Sequence, residues 1–387
     1  MSVKKRIVVH FPGFEPLSAA DHRNRYARSA EQSAKVWNCE FGTGDLSGNQ
    51  FSVTGRGPDW QTETDVTVLD HDQLISGLRA VPLWRQLLLG FWAAVQVVFE
   101  GGMTGYFRHA WRFGIFFIFP FLFIICGLEF AATIALAPVI LDWPRWHLLW
   151  SVPAAGLFFE RLFLPFSDRF HTLHLFADWR LTVHAARLND AKTNAWLEHA
   201  ANSLRTALDE DADEYLITAH SMGASLALHA IGMVLERDPQ AFGGKSVTFA
   251  TLGGAALQCA LLRSAKILRE RIRLTATCSD IVWFEVQSLT DPVHLYKAHT
   301  VSAAGFPGIR QPPIVPFRFR TVLSEERYKR IKTDILRMHR QYVLGPDRRG
   351  SFDFTLMTAG PLPAAVFRTY NQQVLPPLGP DGSVGRD

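Results

Sequence analysis

The run Tyr215-Leu-Ile-Thr-Ala-His-Ser-Met-Gly-Ala-Ser-Leu-Ala-Leu-His-Ala-Ile-Gly-Met-Val-Leu235 joins a short apolar stretch directly to a long one. Residues 209–214 before it are an acidic turn, and Tyr215 to Thr218 are too few and too rich in β-formers for a helix, so they read as a strand. The second stretch is apolar almost all round and reads as a buried helix. It stops where Glu236, Arg237 and Asp238-Pro239 arrive, since a helix ends before proline. Ser221 therefore stands on a sharp strand-to-helix turn between Ala219 and Gly223. Such a turn presents a serine hydroxyl at the carboxyl edge of a sheet and aims the first helical N–H groups at a developing oxyanion. The flanking residues must be small because strand and helix pass close together.

With that strand before it and that helix after it, the Ser221-Met222-Gly223 turn resembles the α/β-hydrolase superfamily, in particular its lipase and esterase members. The pattern G-x-S-x-G has Ala219 in place of its first glycine here. The resemblance covers the soluble portions of the chain. It implies an α/β fold, a serine nucleophile, and a triad in the chain order serine, acid, histidine. The competing reading of Ser221 is a structural turn serine.

Composition bounds the rest. The 387 residues are enough for one large domain or two smaller ones. Forty Lys and Arg against 36 Asp and Glu leave +4 with no long basic run, which argues against nucleic acid as a partner. Cys39, Cys126, Cys259 and Cys278 are scattered without metal-ligand spacing, so neither a disulfide framework nor a metal site is expected, and a reducing compartment fits. No cofactor is implied. Lys4, Lys5 and Arg6 precede only a few apolar residues, which is a first β-strand, not a signal peptide.

That strand, Arg6 to His10, runs into His10-Phe11-Pro12-Gly13-Phe14. In the resembled family a loop of this kind, usually His-Gly-x, supplies the second oxyanion N–H. Here the donor would be Phe14, because Pro12 has no N–H; a plain Pro-Gly turn is the alternative. Ser18 with Asp21 three residues on starts a polar helix with a capping box. Gln50 to Arg56 and Thr64 to Leu69 read as strands. Asp70-His71-Asp72 cannot converge on one ion from consecutive positions and reads as a loop and helix cap.

From Pro82 to Phe166 the composition turns apolar. Leu87 to Phe99 is short and broken by Gln96, which suits an interfacial helix. Phe113 to Leu141 carries Glu129 as its one charged residue and exceeds what a bilayer needs, with Pro120 accommodated as a kink. A turn bracketed by Trp143 and Trp146 leads to a second, weaker span from His147 to Phe166, giving a hairpin that enters the membrane and returns. Arg108, Arg112, Arg161, Arg169 and Arg180 lie on the side of the two soluble parts, which puts those parts in the cytoplasm, at the inner membrane of a bacterium. The non-membrane alternative is a greasy lid over an active site. Glu129 is assigned no chemistry, and a transport role for Glu129 and Glu160 would leave too few helices for a pathway.

Beyond the hairpin, Leu197, Ala200, Leu204 and Leu208 mark a helix, while Ser246 to Leu252 and Arg271 to Thr277 read as buried parallel strands. Residues 1–81 and 167–374 would thus be two parts of one hydrolase domain, mostly parallel in its sheet with helices on both faces, interrupted by the apolar insertion at 82–166. Residues 375–387, rich in proline and glycine, read as a disordered tail.

For the acid, Asp291 in Thr-Asp-Pro-Val is preferred to Asp280, because a carboxylate before proline in a loop after a strand resembles the acid loop of lipases. For the base, His294 is too close to Asp291 in sequence. His339 is placed on a helix from Ser324 to Gly345-Pro346 and shares a face with Tyr328, Ile331, Ile335 and Tyr342. His299 stays second, and His220 is taken as packing. The expectation is a membrane-associated serine hydrolase of ester or thioester substrates, a lipid or other acyl-chain compound: Ser221 as nucleophile, His339 as base, Asp291 as its orienting partner, and the Met222 and Phe14 amides as oxyanion donors. The rival expectation is a silent hydrolase-like scaffold that binds a partner protein.

Overall fold

The two soluble parts of the chain meet in one sheet, and the strand that joins them is the first. The computed structural model describes residues 2–385. Its strands are β1 (Lys5–Phe11), β2 (Glu40–Thr43), β3 (Gln50–Arg56), β4 (Gln61–Val68), β5 (Glu214–His220), β6 (Val247–Leu252), β7 (Ile281–Ser288) and β8 (Ile314–Phe317). They lie in the order β2-β3-β4-β1-β5-β6-β7-β8. β1 pairs in parallel with β4 on one side and with β5 on the other. β5 to β8 continue the parallel arrangement, and β2 and β3 are antiparallel at one edge.

The central strands are apolar on both faces because both faces are covered. Ile7, Val9, Tyr215, Ile217 and Phe249 belong to one core, and Val8, Leu216, Ala250 and Leu252 to a second across the sheet. The helix Ala19–Trp37 closes the second core and carries the expected capping box between Ser18 and Asp21. The helices Ala191–Asp209 and Gly223–Arg237 close the first.

At the amino ends of β1 and β5, Arg6 and Glu214 form a fully buried ion pair at 2.7 Å. Arg6 also donates to the carbonyls of Gly360 and Leu362, and Glu214 accepts from the Ala364 amide. The pair thus ties the 360–364 segment to the sheet. Arg6→Ala would leave Glu214 and two carbonyls buried without partners, so it is expected to lower unfolding stability by about 3–5 kcal/mol, read by denaturant titration in detergent.

Among the described residues two helices are long and apolar enough to cross a membrane: Trp111–Ile140, of 30 residues, and Arg145–Asp168, of 24. The first does two things. Phe113, Phe116, Phe117, Phe121 and Ile124 are buried in the first core, with Phe117 against Trp179 and Phe121 stacked on Phe176. Leu128, Phe130, Leu136 and Val139 beyond them are exposed. The projecting part, residues 125–140, reaches about 24 Å at 1.5 Å per residue, against roughly 30 Å for a bilayer's hydrocarbon layer. Ahead of it, the helix Leu83–Phe99 buries Gly90, Ala93 and Val97 and exposes Trp84, Leu88, Trp92, Val95 and Phe99 at helical spacing. That face is an apolar stripe beside the emerging hairpin.

Three expectations are corrected, and some strands were missed. Arg271 to Thr277 is not a strand but the end of the helix Lys266–Thr277, where Leu268, Arg271, Ile272 and Thr275 are buried at a helical period; the next strand is β7. The helix expected from Ser324 to Gly345 is broken into Glu325–Ile331, Ile335–His339 and a 3-10 turn Arg340–Val343, because Asp334 caps a new start by accepting from the Arg337 amide. β2 and β8, the four-residue strands at the two edges, were not foreseen, and neither was β7. The tail expected to be disordered is pinned: Leu378 and Val384 bridge, Trp60 donates to the Gly382 carbonyl, and Arg349 donates to Leu378 and Gly379. Arg386 and Asp387 of that tail lie outside the described residues.

Candidate active site

Three strand ends build the site. β1 leads into Pro12-Gly13-Phe14, β5 into Ser221, and β7 into the loop that carries Asp291. These are the carboxyl ends of parallel strands, where open α/β sheets leave a crevice.

Ser221 has φ +54°, a left-handed conformation that a residue with a Cβ rarely adopts. Its backbone is held on three sides. The Ser221 amide donates to the Leu252 carbonyl at 3.2 Å, and its carbonyl accepts from Ala224 at 3.0 Å and Ala255 at 2.9 Å. Strain of this kind persists only where surroundings over-determine it. Gly223 is dictated by contact: a Cβ there would overlap the carbonyl oxygens of Phe11 and Pro12, where β1 passes the turn. At Gly13 a Cβ would come 2.8 Å from His220 Nδ1 and 3.1 Å from the Ser221 Cβ, so the β1 loop lies directly against the serine. The Phe14 and Met222 amides have no acceptor among the described residues.

His339 ends its short helix and is buried. Its Nδ1 lies 2.7 Å from Asp291 Oδ2, while its Nε2 is buried without a partner among the described residues. Asp291 is fully buried. Its Oδ1 accepts from the Val293 amide at 3.0 Å, so the carboxylate closes a turn with one oxygen and holds an imidazole with the other. Burial alone would raise its pKa, but His339 and His294 hold it well below the usual carboxylate range. His294 Nδ1 is 3.1 Å from the same Oδ2, without hydrogen-bond alignment, and the Tyr342 hydroxyl nearby accepts from the Ser288 amide at 2.8 Å. His294, set aside on sequence proximity, is thus a direct neighbour of Asp291.

The other candidates fall elsewhere. Asp280 precedes β7 at the end opposite Asp291, about 26 Å away along an eight-residue strand. His299 is exposed ahead of the short helix Thr300–Ala303. His220 is more than packing: its Nε2 lies 3.1 Å from the His339 carbonyl, its ring sits 4.6 Å from that of His339, and burial followed by the neighbouring imidazole pushes its pKa down to about 3.

Ser221, His339, Phe14, Phe116 and Asp178 line one cavity of about 30 Å³, room for one or two water-sized groups. Phe116, from the apolar helix, also lines a second cavity of about 340 Å³ bounded by Ile115, Phe119, Phe170 and the exposed Arg112 and Arg169. That volume is in the range of small-molecule sites. Two acidic residues at the first cavity escaped the sequence reading. Glu15 is buried and salt-bridged to Arg25 at 2.6 Å and Arg340 at 2.5 Å; burial alone would raise its pKa, but the two arginines bring it down to about 2. Asp178, on the helix Thr172–Arg187, is pushed up to about 7 by burial. Neither carries a motif; the one signal for Asp178 was a lone carboxylate between Ala177 and Trp179. Among the described residues no three His, Cys, Asp or Glu side chains converge as metal ligands.

Set against protein families, curated proteins and solved structures, the chain matches none of them. Its fold and site define a mixed α/β protein with a mostly parallel eight-stranded sheet and two helices apolar enough to cross a membrane. At the carboxyl edge of that sheet stand a strained serine and a histidine bonded to a buried aspartate.

Proposed function

We propose that this protein is a membrane-associated serine hydrolase that cleaves an ester or thioester of an acyl-chain compound. The observation that carries the reading is Ser221 in its left-handed turn, sharing one cavity with a histidine whose Nδ1 is held by a buried carboxylate. Ser221 Oγ bonds to the acyl carbon and gives its proton to His339 Nε2. The carbonyl electrons move onto oxygen, held by the Met222 and Phe14 amides. Collapse breaks the bond to the alcohol or thiol, which takes the proton from the imidazolium, and water then repeats the steps on the acyl-serine. Asp291 keeps the proton of His339 on Nδ1, so that Nε2 can accept.

The lipid bilayer supplies the substrate. Phe116 lines both the catalytic cavity and the larger apolar one, and the reading is that a turn of its ring opens a path for an acyl chain between them. The basic residues Arg108, Arg112, Arg161, Arg169 and Arg180 favour a cytoplasmic hydrolase domain at a bacterial inner membrane. The small volume at Ser221 favours, as a second reading, a silent scaffold. Labelling of the detergent-solubilised protein with a fluorophosphonate separates the two. The hydrolase reading expects stoichiometric labelling of the native chain and none of Ser221→Ala; a folded native chain that takes no label would be the scaffold.

A further inference from the structure

Asp178 lines the catalytic cavity, and the steps above give its carboxyl no role. It is 7 % exposed. Its Oδ2 accepts from Gln258 Nε2 at 3.0 Å. Gln258 is fixed in turn: Nε2 also donates to Thr182 Oγ1 at 2.7 Å, and its backbone carbonyl accepts from the Tyr106 hydroxyl at 2.6 Å. One oxygen of the carboxyl is therefore tied to a buried amide that Thr182 also bonds. The other, Oδ1, buried as well, has no partner among the described residues. A buried acceptor that no donor satisfies costs about 1–3 kcal/mol, and the residue that carries it lines the same small cavity as Ser221 and His339.

We propose that Asp178 is a specificity residue whose Oδ1 accepts a hydrogen bond from a hydroxyl group of the substrate, close to the scissile ester. The inference rests on the hydrolase reading and adds the class of substrate: an acyl ester whose alcohol portion keeps a second, free hydroxyl. The cavity's charges select a hydroxyl over an ammonium group. Arg340 lines it, and Glu15, the carboxylate beside it, is already shared between Arg340 and Arg25. A cationic substrate would meet those guanidiniums. A hydroxyl meets no such repulsion, and it bonds to the carboxyl whether that group is ionised or neutral. This second possibility matters near neutral pH, because burial pushes the Asp178 carboxyl up to about 7. The size of the cavity agrees, since 30 Å³ admits one small polar group beside the reacting carbonyl.

The test compares 1-octanoylglycerol with propyl octanoate, which has the same acyl chain and a three-carbon alcohol without the hydroxyls. The full-length protein is assayed in detergent micelles. The native chain is expected to favour the glycerol ester in kcat/KM by roughly 10²-fold, because a site built to bond a hydroxyl discriminates against the analogue that lacks it. In Asp178→Ala the ratio should fall to within about threefold of unity, and Asp178→Asn, whose amide oxygen still accepts, should keep part of it. Fluorophosphonate labelling of Ser221 in each variant reports whether fold and nucleophile survive. The idea fails if the native ratio is near unity, if Asp178→Ala keeps the native ratio, or if it lowers both esters equally while labelling persists, which would mark a structural or purely electrostatic role. A native chain that takes no label removes the hydrolase reading and this inference together, whereas a labelled chain without discrimination removes this inference alone.

Discussion

Ser221→Ala and His339→Ala are each expected to lower kcat by about 10⁶-fold, and the double replacement is expected to cost no more than either alone. A serine hydroxyl without its base is a poor nucleophile, and a base without its nucleophile has nothing to deprotonate, so the two act as one unit. Ester hydrolysis measured for the two single variants and the double variant closes the cycle; losses that multiply would mean that the two residues act independently and are not a nucleophile and its base. The same serine makes a second, opposite prediction for stability. At φ +54° a Cβ is strained by roughly 1–2 kcal/mol, a steric cost that glycine does not carry and that exceeds its extra loss of backbone entropy. Ser221→Gly should therefore abolish turnover and yet unfold at higher denaturant than the native chain, as expected where a turn stores strain for the sake of presenting a side chain.

That turn was legible because its physics is local. A short β-rich run, a small residue on either side of the serine and an apolar helix ended by Asp238-Pro239 leave one geometry, and the contact of Gly223 with the Phe11 and Pro12 carbonyls explains the residue that the pattern required. β1, β3, β4 and β6 were legible for the same reason, whereas β2, β7 and β8 were not foreseen. What lies between distant segments was not. The pairing of β1 with both β4 and β5, which joins the chain before and after the hairpin, depends on register across some 150 residues of insertion and following helices. Arg271 to Thr277 was misread because its β-branched threonines outweigh a helical period that shows only from Leu268 onward. The apolar helix was read by length as a span from Phe113, yet its first half serves the domain core, because Phe113 and Phe117 meet Trp179 and Tyr106, which come from separate segments. Asp178 acquires its meaning from a partner remote in sequence, Gln258, and Glu15 from Arg340 as well as the nearer Arg25. A pattern of residues in one window cannot carry that information.

Asp291→Asn should lower kcat by about 10⁴-fold with the fold intact. The turn survives, because the asparagine oxygen can still accept from the Val293 amide as Oδ1 does. What changes is the atom facing His339. An amide N–H there makes Nδ1 the acceptor, moves the ring proton to Nε2, and leaves the imidazole unable to take a proton from Ser221. The stability of the two proteins should diverge with pH in a defined direction. The folded-state pKa of Asp291 is held below its unfolded value by His339 and His294. Its contribution is therefore fully present above the unfolded value near 4 and is lost as pH falls below it toward the folded pKa. Native protein should lose stability over that acid range, and Asp291→Asn should lose less. His294 supplies the control, because its Nδ1 lies 3.1 Å from the same Oδ2. If His339→Ala remains as active as the native chain while His294→Ala falls as far as Asp291→Asn, the imidazole that the carboxylate serves is His294; if the loss follows His339, the aligned 2.7 Å contact is the one that matters.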